Sequence, residues 1–84
     1  MAYSVSYKKS VRKDLASFPK AEARRVLDKI EKELTTRPEA CPPLKGQFAG
    51  LRKLRVGPYR VIFAILEEQV LVLRIGHRRD VYER

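Results

Sequence analysis

Two groups of cationic side chains have the types and spacing to do chemistry. One is Lys53, Arg55 and Arg60; the other is His77, Arg78 and Arg79, followed by Tyr82. Between Leu44 and Arg60 there is no acidic residue, so the first group has no local counter-charge in the sequence. Guanidinium groups hold phosphate oxygens bidentately, and an unpaired charge beside an apolar core is costly, so phosphate is the natural ligand. Attack of a ribose 2′-OH on the adjacent phosphate needs a base, an acid for the leaving oxygen, and positive charge for the phosphorane. A lysine crowded by cations gives up its proton more readily, and a tyrosine among cations can exchange one. By residue type, Lys53, Arg60, Arg78 and Tyr82 supply such a set. The same residues also fit a plainer reading, a solvated basic strand edge that resists aggregation.

Other chemistries find little support. The chain has one histidine and one cysteine, so neither a zinc-type ligand set nor a nucleophile–histidine–acid triad is visible, and no metal or cofactor is expected. Gly46 and Gly50 lead into a strand rather than a helix, unlike the phosphate loops of nucleotide-binding folds. Cys41 has no internal disulfide partner, which fits a reducing cytoplasm. The opening AYSVSYKKS does not resemble a signal peptide, and no apolar run is long enough to span a bilayer, so no membrane role is expected. A formal net charge of +9 and a pI near 10.1 favour a polyanionic partner.

The elements that must position these side chains follow from periodicity. Tyr3, Val5 and Tyr7 alternate against Ala2, Ser4 and Ser6, the pattern of a strand with one buried face. Val11, Leu15 and Phe18 then mark one face of a short helix, and Pro19 opens a second that runs to about Leu34. Ala23, Val26 or Leu27, Ile30 and Leu34 form its apolar stripe. Pro38, Pro42 and Pro43 impose an irregular connection, and Lys45 to Gly50 a loop. Three strands are predicted at Leu51–Val56, Tyr59–Leu66 and Val70–Gly76, joined by turns at Gly57-Pro58 and Glu67-Glu68-Gln69. The runs VIFAIL and VLVL predict central strands covered on both faces. Alternation on the first of the three puts Lys53 and Arg55 on one face and Arg52, Leu54 and Val56 on the other. Arg78 to Arg84 is a polar tail with room for a final helical turn. The expectation is a single α+β domain over 1–84 in the order β-α-α-β-β-β. It would have a small antiparallel sheet with an N-terminal strand, a helical hairpin on one face and a C-terminal three-stranded meander.

The ordered phrases Pro43-Leu44-Lys45-Gly46, Gly50-Leu51, Leu54-Arg55-Val56-Gly57, Tyr59-Arg60-Val61-Ile62-Phe63 and Ile75-Gly76-His77-Arg78-Arg79-Asp80-Val81-Tyr82 resemble the RelE/ParE toxin superfamily of type II toxin–antitoxin systems. The likeness covers nearly the whole chain, including the Phe18-Pro19-Lys20 break between the helices. It implies a compact sheet with a helical hairpin on one side and a cleft on the other. The closing phrase is more similar to the RelE branch, whose members enter the ribosomal A site and cut mRNA without metal. On that resemblance Lys53, Arg60, Arg78 and Tyr82 are the expected catalytic residues, and Lys45, Arg52, Arg55, His77 and Arg79 the expected RNA contacts. The sequence departs from the family pattern in three places. Leu51 stands where some active members carry a second lysine, Arg52 where many have an aromatic, and Pro58 where aspartate is common. The permanently charged Arg52 and Arg55 cannot replace a base, so His77 stays in view as an acid or base.

The implied partners are a RelB-like antitoxin, the ribosome and mRNA. The ParE branch instead implies DNA gyrase, bound without catalysis, and an inactive relative that only binds its antitoxin is a third possibility. The implied location is cytoplasmic.

Overall fold

The computed structural model describes residues 3–77, apart from the side chain of Gln47. β1 (Ser4–Tyr7) leads into α1 (Lys9–Ala16) and α2 (Lys20–Leu34); β2 (Arg52–Val56), β3 (Tyr59–Leu66) and β4 (Gln69–His77) follow. Short 3₁₀ turns at Pro38–Ala40 and Gly46–Phe48 occupy the proline- and glycine-rich connection. The expected element order is present, with strand ends shifted by a residue.

The helical hairpin breaks where its sequence predicts. The backbone N–H and the Oγ of Ser17 both donate to the Asp14 carbonyl and close α1, and the Pro19 carbonyl then accepts the N–H groups of Glu22 and Ala23 to start α2. Glu22 in the first turn of α2 suits the positive end of the helix dipole. At the far end Thr35 and Thr36 bond back to the carbonyls of Glu31 and Lys32, and the Tyr3 N–H donates to Thr35, tying the start of β1 to the end of α2.

The sheet has the order β1-β4-β3-β2. The antiparallel meander is as expected, but β1 joins β4 in parallel, so the sheet is mixed rather than wholly antiparallel. The reason is topological: two helices intervene after β1, so no hairpin constrains its direction. Val11 from α1 and Val26, Ile30 and Leu34 from α2 pack against Leu54, Val56, Val61, Phe63, Val70, Val72 and Ile75. Each such side chain stabilises by about 1.5–3 kcal/mol through burial.

The expectation that β3 and β4 are covered on both faces needs correcting. On the face away from the helices Ile62 is 5% exposed, but Leu66 is 52% exposed and Ala64 and Leu71 are half-buried. Ile62 is flanked in its row by Lys53 and Arg74, whose alkyl stems are suited to cover it. Among the described residues no helix covers this face.

The edge of β2 is shielded in turn. Pro43 bridges Arg52, Leu44 N–H donates to the Leu51 carbonyl, and Lys53 N–H donates to the Pro42 carbonyl. Residues 42–44 thus lie along β2 as a short fifth ribbon, which leaves little open edge for pairing.

Candidate nucleic-acid interface

The β2–β3 hairpin fixes the first cationic group. Its two-residue turn places Gly57 at φ 59°, a left-handed value for which glycine has no steric penalty, followed by Pro58 with its ring-locked φ. This matches the right-handed twist of the flanking strands and sets the register. Arg55 lies directly opposite Arg60, and Lys53 opposite Ile62. On the other side of β3, Arg60 is opposite Gly76 and Ile62 opposite Arg74. Residues opposite one another share a face, so Lys53, Arg55, Arg60 and Arg74 all belong to the face away from the helices.

Three of these converge. Lys53, Arg55 and Arg60, with Pro42, line a cavity of about 200 Å³ that has no acidic residue among its described lining residues. Lys53 is half-buried and Arg55 exposed; Arg60 is half-buried with its Nε enclosed. The antiparallel register thus sets two guanidinium side chains side by side on one face. An anion in the cavity would be within reach of both.

The other expected site residues fall elsewhere or beyond the described residues. Arg52 is on the helix-covered side, opposite Phe63, and its Nη1 donates to the carbonyls of Glu39 at 3.2 Å and Cys41 at 2.7 Å. It clamps the 3₁₀ turn rather than joining the cationic cavity. His77 pairs with Tyr59 on the helix side of the sheet, its ring edge-on at 6.2 Å, and Tyr59 in turn lies 4.4 Å from Phe18. His77 is therefore not brought together with Arg60. Lys45 is exposed in the loop before Gly46–Phe48 and does not line the cavity. Leu51, half-buried, contributes a backbone carbonyl to Leu44. Arg78, Arg79 and Tyr82 lie outside the described residues.

Sequence reasoning missed Arg74 and Asp14. Strict alternation from Val70 and Val72 would send Arg74 to the helix side. A bulge in β4 opposite Ile62/Phe63 resets the phase, so that Ile75 enters the core and Arg74 joins the row of Lys53. Past Val72, β4 has lost β1 as a neighbour, and α1 takes its place. Asp14 Oδ2 accepts the Ile75 N–H at 2.9 Å and sits 3.8 Å from Arg74 Nε. No signal in the sequence marks this, because it depends on where β1 ends relative to the bulge.

The Tyr3 hydroxyl donates to the Glu39 carboxylate, and that bond raises the tyrosine and lowers the carboxylate from their ordinary values. Burial pushes the Cys41 thiol up, with Glu33 adding to the effect and Arg52 opposing it. Among the described residues no group of His, Cys, Asp and Glu could hold a metal ion, and no helix is long and apolar enough to cross a membrane.

Comparison with known proteins sets this geometry in a family. The family model for the ParE toxin of the type II toxin–antitoxin system parDE matches residues 5–82. The chain is 32% identical, over 87 aligned positions and the whole of both chains, to Toxin RelG of Mycobacterium tuberculosis. The fold superposes with a TM-score of 0.86 on a chain of the toxin–antitoxin complex RelBE2 from the same organism, at 30% identity over 95% of each chain. It also superposes on a chain of the archaeal RelE–RelB complex from Pyrococcus horikoshii, with a TM-score of 0.69 at 33% identity, covering 96% of this chain and 100% of that one. The strand–hairpin–meander order, the basic cavity beside the Gly57-Pro58 turn and these matches have one conclusion: the chain belongs to the RelE/ParE superfamily of type II toxin–antitoxin toxins.

Proposed function

We propose that this toxin is a ribosome-dependent mRNA endonuclease, acting in the cytoplasm on mRNA in the ribosomal A site and held inactive by a RelB-like antitoxin. The observation that carries the reading is the convergence of Lys53, Arg55 and Arg60 on one cavity. Its size suits a phosphodiester group, and Arg55 and Arg60 side by side offer two guanidinium groups to its oxygens.

In this reading the scissile phosphate occupies the cavity. Arg60, its Nε enclosed, and Arg55 stabilise the charge that builds on the phosphorane oxygens. Lys53, on the same face, is placed to take the 2′-OH proton. The family resemblance gives Arg78 a second share of the charge and Tyr82 the proton for the leaving 5′-oxygen. No metal enters this scheme.

A second reading is favoured by one finding, the match to the ParE family model. Under it the toxin inhibits DNA gyrase without cleaving RNA. Primer extension on mRNA in a translating extract, beside a gyrase supercoiling assay, separates the two. The nuclease reading expects ribosome-dependent cuts and unaffected gyrase, with Arg60→Ala abolishing both cleavage and growth arrest while the circular dichroism spectrum stays native. Supercoiling inhibition with no cuts, or full toxicity of Arg60→Ala, would refute it.

A further inference from the structure

The cavity does not end at Arg55. The same exposed arginine lines a second depression of about 380 Å³, on the other side of β2, between α2 and the Gly57-Pro58 turn. Its other charged walls are Arg25, Lys29 and Lys32, with Asp28 the single acid among its described lining residues. Arg25, Lys29 and Lys32 recur at the i, i+4, i+7 spacing of one helical face. Arg25 Nη1 lies 3.6 Å from the position that a Cβ on Gly57 would take, so the arginine reaches over the turn toward β2.

We infer that this groove is a second segment of the RNA-binding surface, which receives the phosphodiester backbone as the strand leaves the cavity across Arg55. The inference rests on the nuclease reading for the cavity and extends it to the substrate's flanking backbone. Three features favour RNA over an acidic protein. The two depressions share Arg55, so a polyanion that spans them keeps a cation at the crossing. The cations line up in a row, as evenly spaced phosphates require. The ion pairs that now engage them, Arg25–Glu22 at 3.6 Å and Lys29–Glu33 at 3.9 Å, are partly exposed contacts that exchange readily for phosphate oxygens. Contacts of this kind position the strand and carry no base preference.

The test uses a fluorescein-labelled 12-nucleotide oligouridylate with 2′-O-methyl riboses, which cannot be cut, so binding is read apart from catalysis. Fluorescence anisotropy across a salt series gives affinity and slope for three proteins: the parent, Arg25→Gln/Lys29→Gln/Lys32→Gln, and Lys9→Gln/Lys13→Gln/Lys20→Gln as a control of equal net charge. Loss of three phosphate contacts lowers the slope of log K against log salt by about 2 and the affinity at 0.1 M salt on the order of 100-fold. The control variant should keep most of the parent slope. Equal losses in both variants would show a net-charge effect, and no loss in the groove variant would show a merely solvated helix face. An unchanged slope with weakened capture by the co-expressed antitoxin would assign the groove to a protein partner. Each of these three results overturns the inference. Ribosome-dependent cleavage by the parent protein is measured alongside. Its absence removes the nuclease reading and leaves the slope comparison to stand or fall separately.

Discussion

Asp14 offers the sharpest test of how the sheet is held. Its Oδ2 accepts the Ile75 N–H at 2.9 Å and faces Arg74 at 3.8 Å, on a carboxylate side chain that is 17% exposed. Asp14→Ala leaves a part-buried backbone N–H without its acceptor, which costs about 1–3 kcal/mol. Asp14→Asn keeps an oxygen in place and loses only the charge assistance, about 1 kcal/mol, since hydrogen bonds to charged groups contribute roughly that much more than neutral ones. The Arg74 pair adds little, because an arginine half exposed to water gains at most about 1 kcal/mol from such a contact. For a domain of this size each kcal/mol shifts Tm by roughly 4–8 °C, so at the middle of that range, about 2 kcal/mol, the alanine variant should melt about 8–16 °C lower and the asparagine variant about half as much. Thermal unfolding by circular dichroism gives the ranking, and amide exchange at Ile75 gives the location. Protection of that amide should fall sharply in the alanine variant and be largely retained in the asparagine variant. Equal destabilisation by the two, or an Ile75 amide that exchanges alike in all three proteins, would refute the account of α1 as the cover of the β4 edge.

Arg52→Ala should cost about 1–3 kcal/mol in urea unfolding, through the lost bonds to the Glu39 and Cys41 carbonyls, yet leave the oligouridylate salt slope within error of the parent. Glu67 sits at φ 59° in the first central position of the two-residue β3–β4 turn, the slot that Gly57 fills in the other hairpin. Strain of about 1–3 kcal/mol there exceeds the entropic cost of glycine, roughly 0.5–1 kcal/mol, so Glu67→Gly should raise stability by about 1 kcal/mol in the same assay. The Tyr3–Glu39 bond holds the carboxylate below and the hydroxyl above their ordinary values. Its stability contribution is present between the two, is lost as pH falls through the depressed carboxylate value, and is lost again as pH rises through the elevated tyrosine value. Tyr3→Phe should therefore flatten the dependence of Tm on pH at both ends and change it least near neutrality.

The meander and the helix pair were legible because their signals are local. The Val26, Ile30 and Leu34 stripe, the Phe18-Pro19 break and the Gly57-Pro58 turn each declare themselves within a few residues. The convergence of Lys53, Arg55 and Arg60 was legible for the same reason, since a two-residue turn fixes the register between β2 and β3. What resisted reading depends on distant partners. The parallel pairing of β1 is set by β4, some sixty residues later in the chain, and Arg74 reaches its face through a bulge that no residue type in the run announces. Arg52 was expected among the RNA contacts on the family resemblance, although its own alternation already separated it from Lys53. Two backbone carbonyls in the proline-rich connection decide its orientation, and carbonyls have no sequence signature.

The parallel pairing of β1 with β4 also bears on when the toxin comes into being. Ser4 through Tyr7 find their sheet partners at Gln69 through Val72, so the first strand to leave the ribosome waits for the last described one. Until then the helices have no finished sheet for Val11, Val26 and Ile30, and closing so long a loop is rewarded only once β4 is in place. The order of synthesis thus works as a delay. A chain interrupted before β4 cannot complete its sheet, and the Arg60–Gly76 register beside the cationic cavity is among the last contacts to form. The strand order therefore makes closure of the sheet a late event in folding.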